Sequence, residues 1–197
     1  MSFIKLVIAS NNKGKIIEYK QLLEKFGYEV CSQKEAGIDL DVEETGTTFA
    51  ENSALKARAA YELAGCAVLA DDSGLCIDAL GGEPGVYSAR YCGATTDEER
   101  IGIILDKLKD VPDEKRNAHF VCTIHFIDGD GSEIAVEGRV EGTIAREPRG
   151  ENGFGYDPVF IYEGKSFAET YPQVKNAVSH RANALKALVR ELEKKGK

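Results

Sequence analysis

The spacing of hydrophobic positions predicts a strand, a helix and a second strand at the start of the chain. Residues 3–9 are almost all apolar, with Lys5 as the charged exception, and such a run is typical of a buried strand. From Gly14 onward the apolar residues recur at helical spacing, and Gly27 is expected to cap this helix. Residues 28–32 are predicted as a second strand. The apolar positions of the helix are Ile16, Ile17, Tyr19, Leu22, Leu23 and Phe26.

Two T-x-x-E sequences predict where further helices begin. Thr48 and Glu51 form a capping box, and we expect the helix that follows to run to about Gly65. Thr96 and Glu99 repeat this pattern before a third helix. The apolar positions of the third helix are Ile101, Ile104, Leu105 and Leu108. A last helix is expected to start near Ser179. Its expected buried residues are Leu185, Leu188, Val189 and Leu192.

The second half of the chain is predicted to contain strands joined by glycine-rich turns. Residues 118–127 predict a long strand, which the D-G-D-G sequence at 128–131 turns back as a hairpin into residues 133–140. A glycine-rich loop at 150–157 precedes a short strand around Val159. The order of elements predicts the α/β class, with one long twisted mixed sheet flanked by helices and two lobes around a central cleft. A chain of 197 residues is expected to form a single domain, residues 1–197.

Composition narrows the range of partners and settings. The formal net charge is −8, from 25 basic and 33 acidic residues, and a nucleic-acid polymer would require a basic face instead. The negative net charge is compatible with a small phosphorylated ligand if a few lysines or a metal ion supply local positive charge. No apolar run approaches the ~18 residues that a membrane helix needs, so no membrane partner is expected. The five cysteines form no C-x-x-C and are odd in number, which favours a reducing, cytoplasmic setting.

Polar residues follow the first predicted strand, where it meets the first helix. The sequence S-N-N-K-G-K at residues 10–15 contains Lys15, and a helix N-terminus with a lysine is a natural anion site. It is not a P-loop, because Ala9 and Ile16 replace the glycine and the Ser/Thr of that motif. An ordinary strand–helix turn with a Ser or Asn cap is the alternative.

Acidic pairs form the second candidate group. Residues 66–70 and 75–78 are predicted as short strands that flank a turn at 71–74. Asp71-Asp72 therefore follow a buried strand, where ligand crevices form in α/β sheets, and Mg²⁺ favours such carboxylates. Glu43-Glu44 form a second pair, for which an exposed acidic surface is the alternative.

Two later segments complete the candidate chemistry. The loop at 150–158 has three glycines that allow a close approach to a ligand, and two aromatics that offer a stacking face. A wide loop with buried aromatics is the alternative. Lys175 and the sequence S-H-R at 179–181 offer donors for carbonyl or phosphate oxygens. The alternative there is a Ser179 cap with solvated basic neighbours.

In this order, the motifs resemble the inosine triphosphate pyrophosphatase family, which removes deaminated purine nucleotides. The resemblance covers roughly residues 5–192. Ser10 stands where many members have threonine, and Glu151-Asn152 lie where other members vary. The matching blocks are residues 10–15, residues 43–52 with Lys56, residues 70–75, residues 84–91, residues 153–158 and residues 179–181.

The resemblance implies a reaction in which NTP and water give NMP and pyrophosphate, dependent on Mg²⁺. It also implies a homodimer and ITP, dITP and XTP as substrates. Asp72 is implied to be the general base, and Glu43 and Asp72 to bind Mg²⁺, with Asp71 in support. The residues implied to contact the substrate are Ser10, Asn12, Lys15, Lys56, Ser73, Phe154, Gly155, Tyr156, Asp157, Lys175, His180 and Arg181.

The same resemblance assigns a task to each of these residues. Lys15 and Lys56 are implied to hold the phosphates, and Ser10 and Asn12 to shape that end of the site. Phe154 is implied to stack on the purine. The residues implied to contact the base and its rim are Asp157, Lys175, His180 and Arg181.

Two other functions remain open from the sequence. One is a pyrophosphatase for other modified nucleotides, such as modified pyrimidine nucleotides, on a related fold. The other is a nucleotide-binding module that does not hydrolyse its ligand. Retention of Asp71, Asp72 and both lysines disfavours the second alternative.

Overall fold

The computed structural model describes residues 4–23 and 28–195 and shows a mixed α/β fold. The strands are β1 (Ile4–Ile8), β2 (Tyr28–Ser32), β3 (Ala67–Ile77), β4 (Asn117–Ile127), β5 (Glu133–Ile144), β6 (Phe160–Tyr162) and β7 (Lys165–Ser166). The α-helices are α1 (Lys13–Leu23), α2 (Phe49–Ala64), α3 (Asp97–Lys107), α4 (Pro172–Val178) and α5 (His180–Lys194). Short 3₁₀ helices lie at Asp78–Leu80, Gly85–Tyr87, Tyr91–Gly93, Asp113–Lys115 and Phe167–Glu169.

The strands form a mixed sheet in the order β2-β1-β3-β4-β5-β6-β7. β1 pairs in parallel with β2 and with β3. β6 pairs antiparallel with both β5 and β7. β4 and β5 are neighbours joined by a short turn at 128–132, and so short a connection permits only an antiparallel hairpin. The predicted α/β class with a mixed sheet and flanking helices is therefore confirmed.

The chain divides into two compact units, and each has its own hydrophobic core. Unit 1 comprises Met1–Asp72, Cys122–Gly138 and Ala182–Lys197, and unit 2 comprises Ser73–Val121 and Arg139–Arg181. In unit 1, Leu6 and Ile8 of β1 pack with residues of α1 and α5, whereas Val7 packs with residues of α2. Successive strand residues point to opposite faces of a sheet, so β1 is buried on both sides. The main core residues of unit 2 are Leu75, Ile104, Phe120, Ile144, Phe160 and Phe167.

Local sequence signals located most of the elements correctly. Both capping boxes are present, at Thr48 with Glu51 and at Thr96 with Glu99, and each opens its predicted helix. Gly65 caps α2 in the left-handed conformation, with φ 61°. The second strand and the 128–131 hairpin are also confirmed. The predictions for Phe3, Phe26 and Gly27 lie outside the described residues.

The prediction for residues 66–78 was wrong in one respect. Two strands flanking a turn at 71–74 were expected, but β3 is a single strand across Ala67–Ile77. Asp71 and Asp72 are buried inside this strand, because lysine and amide side chains of unit 1 bind their carboxylates. The helix α4 at Pro172–Val178 was not predicted, and a proline at its first position opens it.

Candidate active site

Side chains of the β1–α1 connection organise the N-terminus of α1. Ser10 Oγ accepts a hydrogen bond from the Asn12 N–H at 3.1 Å. Asn12 Oδ1 accepts one from the Lys15 N–H at 3.1 Å, and the Asn12 carbonyl accepts one from Ile16 at 3.1 Å. Asn12 is therefore the N-cap of α1. These capping bonds are those expected of an ordinary strand–helix turn with a Ser or Asn cap, and the anion site at this helix end stays a prediction.

Lys15 extends from α1 to a buried carboxylate on β3. Its Nζ lies 3.0 Å from Asp71 Oδ2, and Asp71 is only 1% exposed. The Cys122 thiol also donates to Asp71 Oδ2, with a Sγ–O distance of 3.6 Å. The Tyr19 hydroxyl lies 3.6 Å from Cys122 Sγ. Lys15 is thus held by a carboxylate whose own position is fixed from the interior of unit 1.

Lys56 extends from α2 to a second buried carboxylate of β3. Its Nζ lies 3.6 Å from Asp72 Oδ1 and 2.6 Å from Glu44 Oε1. Asn52, which is completely buried, donates from Nδ2 to Asp72 Oδ2 at 3.1 Å. The Asn52 Oδ1 atom accepts the N–H of Gly46 at 2.8 Å. These bonds bring α2, the segment before it and the carboxylate of Asp72 together.

The sequence of β3 explains why its two aspartates have different partners. Asp71 and Asp72 are adjacent in an extended strand, so their side chains point to opposite faces of the sheet. Asp71 meets the α1 lysine and Asp72 meets the α2 lysine. The adjacent pair therefore places one carboxylate on each of the two lysines.

Burial, together with the charges around it, sets the pKa of Asp72. Burial raises the pKa of the Asp72 carboxyl, and Lys56, Lys15 and the Asn52 hydrogen bond oppose this shift only in part. Burial also lowers the pKa of the Lys56 ammonium, but Asp72, Asp71 and Glu44 outweigh burial and leave that pKa raised. At neutral pH Lys56 is therefore cationic. A carboxyl with a raised pKa is a better proton acceptor than an ordinary aspartate.

Asp72 and Glu44 carry carboxylate oxygens, the donor type that Mg²⁺ prefers in proteins. Mg²⁺ usually takes one or two protein carboxylates and completes its octahedral shell with water and phosphate oxygens. Asp72 and Glu44 both place carboxylate oxygens near Lys56 Nζ. Glu43, which the resemblance assigned to the metal, is exposed. Among residues 4–23 and 28–195, no group of three or more His, Cys, Asp or Glu side chains is arranged as a metal site.

The glycine-rich loop of unit 2 is held by a buried ion pair. Lys175 Nζ lies 2.6 Å from Asp157 Oδ2, and both side chains are about 5% exposed or less. The same oxygen accepts the N–H of Phe154 at 3.0 Å. Gly153 has φ +79°, and a Cβ there would lie 2.0 Å from Asp157 Oδ2. Glycine is therefore required at 153 for the loop to close on this carboxylate.

Two cations lie over the ring of Phe154. Lys175 Nζ is 4.8 Å from the ring centroid, and Arg181 Cζ is 5.8 Å from it. Arg181 Nη2 donates to Ser73 Oγ at 3.3 Å. The basic residues here are buried, so the alternative of solvated basic neighbours at the start of α5 is wrong.

Contacts within unit 2 position three other residues that were predicted to contact the substrate. The His180 ring stacks on Phe120, with centroids 4.7 Å apart. The Tyr156 hydroxyl donates to the Ser88 carbonyl at 2.8 Å, and burial raises the pKa of Tyr156. The Gly155 N–H donates to Asp97 Oδ2 at 2.7 Å.

The structure therefore sorts most of the predicted site residues into two groups, whereas Tyr156 and His180 make other contacts within unit 2 and Glu43 is exposed. Unit 1 brings together the residues of the two lysine–carboxylate pairs, and unit 2 brings together those around Phe154. The unit 1 group is Ser10, Asn12, Lys15, Lys56, Asp71 and Asp72. The unit 2 group is Ser73, Phe154, Gly155, Asp157, Lys175 and Arg181.

Several residues at these groups had no assigned role from the sequence. Glu44 and Asn52 lie in a matching block, but nothing in the sequence distinguished Glu44 from Glu43 as the partner of Lys56. Cys122 and Asp97 gave no local signal, since their contacts join residues 51 and 58 positions apart. Only the folded chain identifies such pairs.

A mixed α/β sheet with two buried lysine–carboxylate pairs and an aromatic–cation cluster is compatible with a nucleotide-binding protein. The model of the Ham1 family matches residues 6–191, and the chain belongs to the Ham1 family. Among the described residues, no helix is long and apolar enough to cross a membrane.

Curated relatives and solved structures agree with this membership. A Bacillus subtilis (strain 168) protein named dITP/XTP pyrophosphatase is 50% identical over 191 residues, covering 95% of this chain and 96% of the relative. An Escherichia coli (strain K12) protein of the same name is 45% identical over 190 residues, with 94% and 96% covered. The Staphylococcus aureus Ham1 protein structure has a TM-score of 0.84 and 44% identity, covering 97% and 99%. A Coxiella burnetii HAM1 protein structure has a TM-score of 0.85 and 44% identity, covering 98% and 100%.

Proposed function

We propose that the protein hydrolyses the deaminated purine nucleotides ITP, dITP and XTP to the monophosphate and pyrophosphate. The observation that carries this proposal is the pair of adjacent buried carboxylates on β3, each bound to a lysine from a different helix. Hydrolysis of a phosphoanhydride requires cations on the polyphosphate and a positioned water with a proton acceptor. The names of the relatives at 45% and 50% identity support the same substrate class.

Asp72 has the role of general base in this proposal. Its raised pKa favours acceptance of the proton that the attacking water releases. Asn52 Nδ2 binds Oδ2 of the same carboxylate and so fixes its orientation. Lys15 and Lys56 hold the phosphate oxygens, and the dipole of α1 adds positive potential at the N-terminus of that helix.

We further propose that Mg²⁺ is the cofactor, with Glu43 and Asp72 as its protein ligands and Glu44 as an additional candidate. When bound, the ion neutralises charge that develops on the phosphate oxygens. Glu44 bonds Lys56 and so links the lysine to the segment before α2. Asp71 holds Lys15 and supports the same end of the site.

The residues of unit 2 are proposed to recognise the base. Phe154 offers a ring for stacking, and Gly155, Tyr156 and Asp157 shape its loop. Lys175 and Arg181 are cationic donors at this ring, and we propose that they and His180 read the 6-oxo group of the purine. Ser73, bonded to Arg181, holds that guanidinium.

Residues 1–197 are proposed to act as one catalytic domain, and the active form is proposed to be a homodimer. We propose a cytoplasmic setting because the five cysteines are free thiols. Light scattering coupled to size-exclusion chromatography tests the dimer: a mass near twice 21.5 kDa supports it, and a mass near 21.5 kDa contradicts it.

The experiment that tests the activity is a nucleotide panel with kcat/KM measured for each compound. We expect ITP, dITP and XTP to exceed ATP and GTP, and EDTA to abolish turnover. Faster hydrolysis of modified pyrimidine nucleotides would instead identify a pyrophosphatase for other modified nucleotides. Binding of ITP without turnover, with Mg²⁺ present, would identify a non-hydrolysing module.

A further inference from the structure

Two successive backbone N–H groups in the glycine-rich loop are each bound by a carboxylate. The Phe154 N–H donates to Asp157 Oδ2 at 3.0 Å, and the Gly155 N–H donates to Asp97 Oδ2 at 2.7 Å. Asp157 belongs to the loop itself, whereas Asp97 is the first residue of α3. The peptide that follows Phe154 is therefore fixed by a side chain from a different element of unit 2.

The Asp97 carboxylate is itself held in place. Arg100, one turn further along α3, pairs with Asp97 Oδ1 through Nη2. Arg100 Nη1 donates to the carbonyls of Ala89 at 2.9 Å and Ala94 at 3.3 Å. The arrangement parallels the Asp157–Lys175 pair, in which a cation also balances the carboxylate that binds the loop. Hydrogen bonds with ionised partners are stronger than neutral ones, which suits both carboxylates to fixing a backbone.

The loop needs such bonds because its own backbone is permissive. Phe154 lies between Gly153, with φ +79°, and Gly155, with φ +64°. Glycine populates left- and right-handed conformations about equally, so these residues do not fix the direction of the Phe154 ring. The N–H bonds on either side of the Phe154 carbonyl fix it instead.

We propose that Asp97 is a positioning residue for base recognition, which acts by fixing the Phe154–Gly155 peptide and thereby the stacking ring. This inference rests on the proposed function, in which Phe154 stacks on the purine. It follows that loss of Asp97 weakens the binding of ligands that carry a base and does not change the binding of ligands that carry only phosphates. Arg100 acts through Asp97 and is expected to have a smaller effect.

The test compares Asp97→Ala with Asp97→Asn and with the control Thr96→Ala. Thr96 is the N-cap of α3 and accepts the Glu99 N–H, so its loss weakens the helix without removing a bond to Gly155. The measurements are kcat and KM for dITP, Kd for dIMP by calorimetry, inhibition by tripolyphosphate, and Tm.

For Asp97→Ala we expect KM for dITP and Kd for dIMP to rise about tenfold, with kcat and tripolyphosphate inhibition within about twofold of wild type. Asp97→Asn retains an oxygen acceptor and should stay within about threefold of wild type. A Thr96→Ala protein with the same rise in KM and Kd would overturn the inference, as would an Asp97→Ala protein with unchanged Kd for dIMP.

The dIMP titration separates this inference from the proposed function, since it needs no turnover. A wild-type protein that binds dIMP but does not hydrolyse dITP contradicts the proposed function alone, and the variants still test Asp97. A wild-type protein that does not bind dIMP contradicts both.

Discussion

At the scale of single residues, Asp71 and Asp72 show how a strand can divide two charges between two partners. Each is buried, and burial of an isolated carboxylate is costly unless a cation or hydrogen bonds compensate it. Lys15 compensates Asp71, and Lys56 with Asn52 compensates Asp72 only in part. The incomplete compensation leaves Asp72 with a raised pKa, which agrees with its proposed role as general base.

Replacement of Asp72 tests this assignment. Asp72→Asn keeps the shape of the side chain but removes the proton acceptor. We therefore expect kcat for dITP to fall by about 10²- to 10⁴-fold. Substrate binding is expected to survive, as measured by calorimetry with dITP. Turnover within a few-fold of wild type would move the general base to another residue.

The same variant has a defined effect on stability. Because the pKa of Asp72 is raised in the folded protein, its stabilising contribution is complete only at low pH and is lost once pH exceeds that pKa. At neutral pH the ionised carboxyl is unfavourable in itself but compensates the buried Lys56 ammonium, so we expect Asp72→Asn to change Tm little. Asp78→Asn, at an exposed position, is the matched control and should change neither Tm nor kcat.

The two lysines are expected to distinguish triphosphates from monophosphates. Lys15→Ala and Lys56→Ala each remove a point charge from the proposed phosphate site, and we expect triphosphate affinity to fall about 10- to 100-fold. The affinity for monophosphates should fall by a smaller factor. Lys34→Ala, which removes an exposed charge, is the control. Equal losses for dITP and dIMP in calorimetric titrations would show that the lysines do not bind the phosphate chain.

Arg181 tests the reading of the base. Hypoxanthine and guanine carry an accepting oxygen at position 6, whereas adenine carries a donating amino group, which would leave donors unpaired. We expect Arg181→Ala to lower kcat/KM for ITP sharply and to narrow the ITP-to-ATP ratio, with a smaller change in the ITP-to-GTP ratio. Arg190→Ala, exposed on the same helix, is the control. An equal fall for ITP and ATP would identify Arg181 as a phosphate or structural residue.

At the scale of elements, an ion-pair network joins α2 to β4 and β5 in unit 1. Arg58 Nη2 lies 2.8 Å from Glu133 Oε2, and His125 Nε2 lies 2.7 Å from the same oxygen. The hydrogen bond from Arg58, followed by that from His125, lowers the pKa of Glu133 to about 2. A carboxyl with a lowered pKa stabilises the fold above its unfolded pKa, and this stabilisation is lost as pH falls toward 2.

We therefore expect Glu133→Gln to lower Tm at pH 7. The difference from wild type should shrink as the pH falls from about 4.5 toward 2, which thermal unfolding at a series of pH values measures. Glu137→Gln, exposed on the same strand, is the control and should show little difference at any pH. A difference for Glu133→Gln that is constant with pH would mean that its charge does not stabilise unit 1.

Elements with local signals could be predicted from the sequence, and elements that depend on distant partners could not. The capping boxes at Thr48 and Thr96 located α2 and α3 because their bonds lie within four residues. The D-D-S-G sequence was interpreted as a turn, since turns favour these residues, but its aspartates are neutralised by lysines from α1 and α2. The helix α4 has only seven residues, too few to show a helical period.

The residues of the candidate site also divide into those with local sequence signals and those that depend on distant partners. Motif blocks named the proposed site residues, because these residues lie in short sequence patterns. The sequence did not say which of these residues pair with each other, and it did not identify partners that lie elsewhere in the chain. Glu44 rather than Glu43 bonds Lys56, and Asp97 binds the loop from 58 positions away. Such choices depend on side-chain direction in the folded protein, which spacing along the chain does not specify.

At the scale of the whole molecule, the net charge of −8 is compatible with an anionic substrate. Local charge decides binding over distances of about a Debye length, near 10 Å at ordinary ionic strength. In unit 1 Lys15 and Lys56 pair with buried carboxylates, and in unit 2 Lys175 and Arg181 lie at the Phe154 ring. We propose that the first set binds the polyphosphate and that the second set binds the base.

The position of the cleaved bond is the most direct test of this account. ³¹P NMR of dITP incubated with the wild-type protein and Mg²⁺ resolves pyrophosphate, monophosphate and diphosphate products. We predict stoichiometric dIMP and pyrophosphate, with no dIDP at any time, and we predict that Asp72→Asn forms these products about 10²- to 10⁴-fold more slowly. Formation of dIDP and inorganic phosphate would contradict the account, since it would mean cleavage at the terminal phosphate.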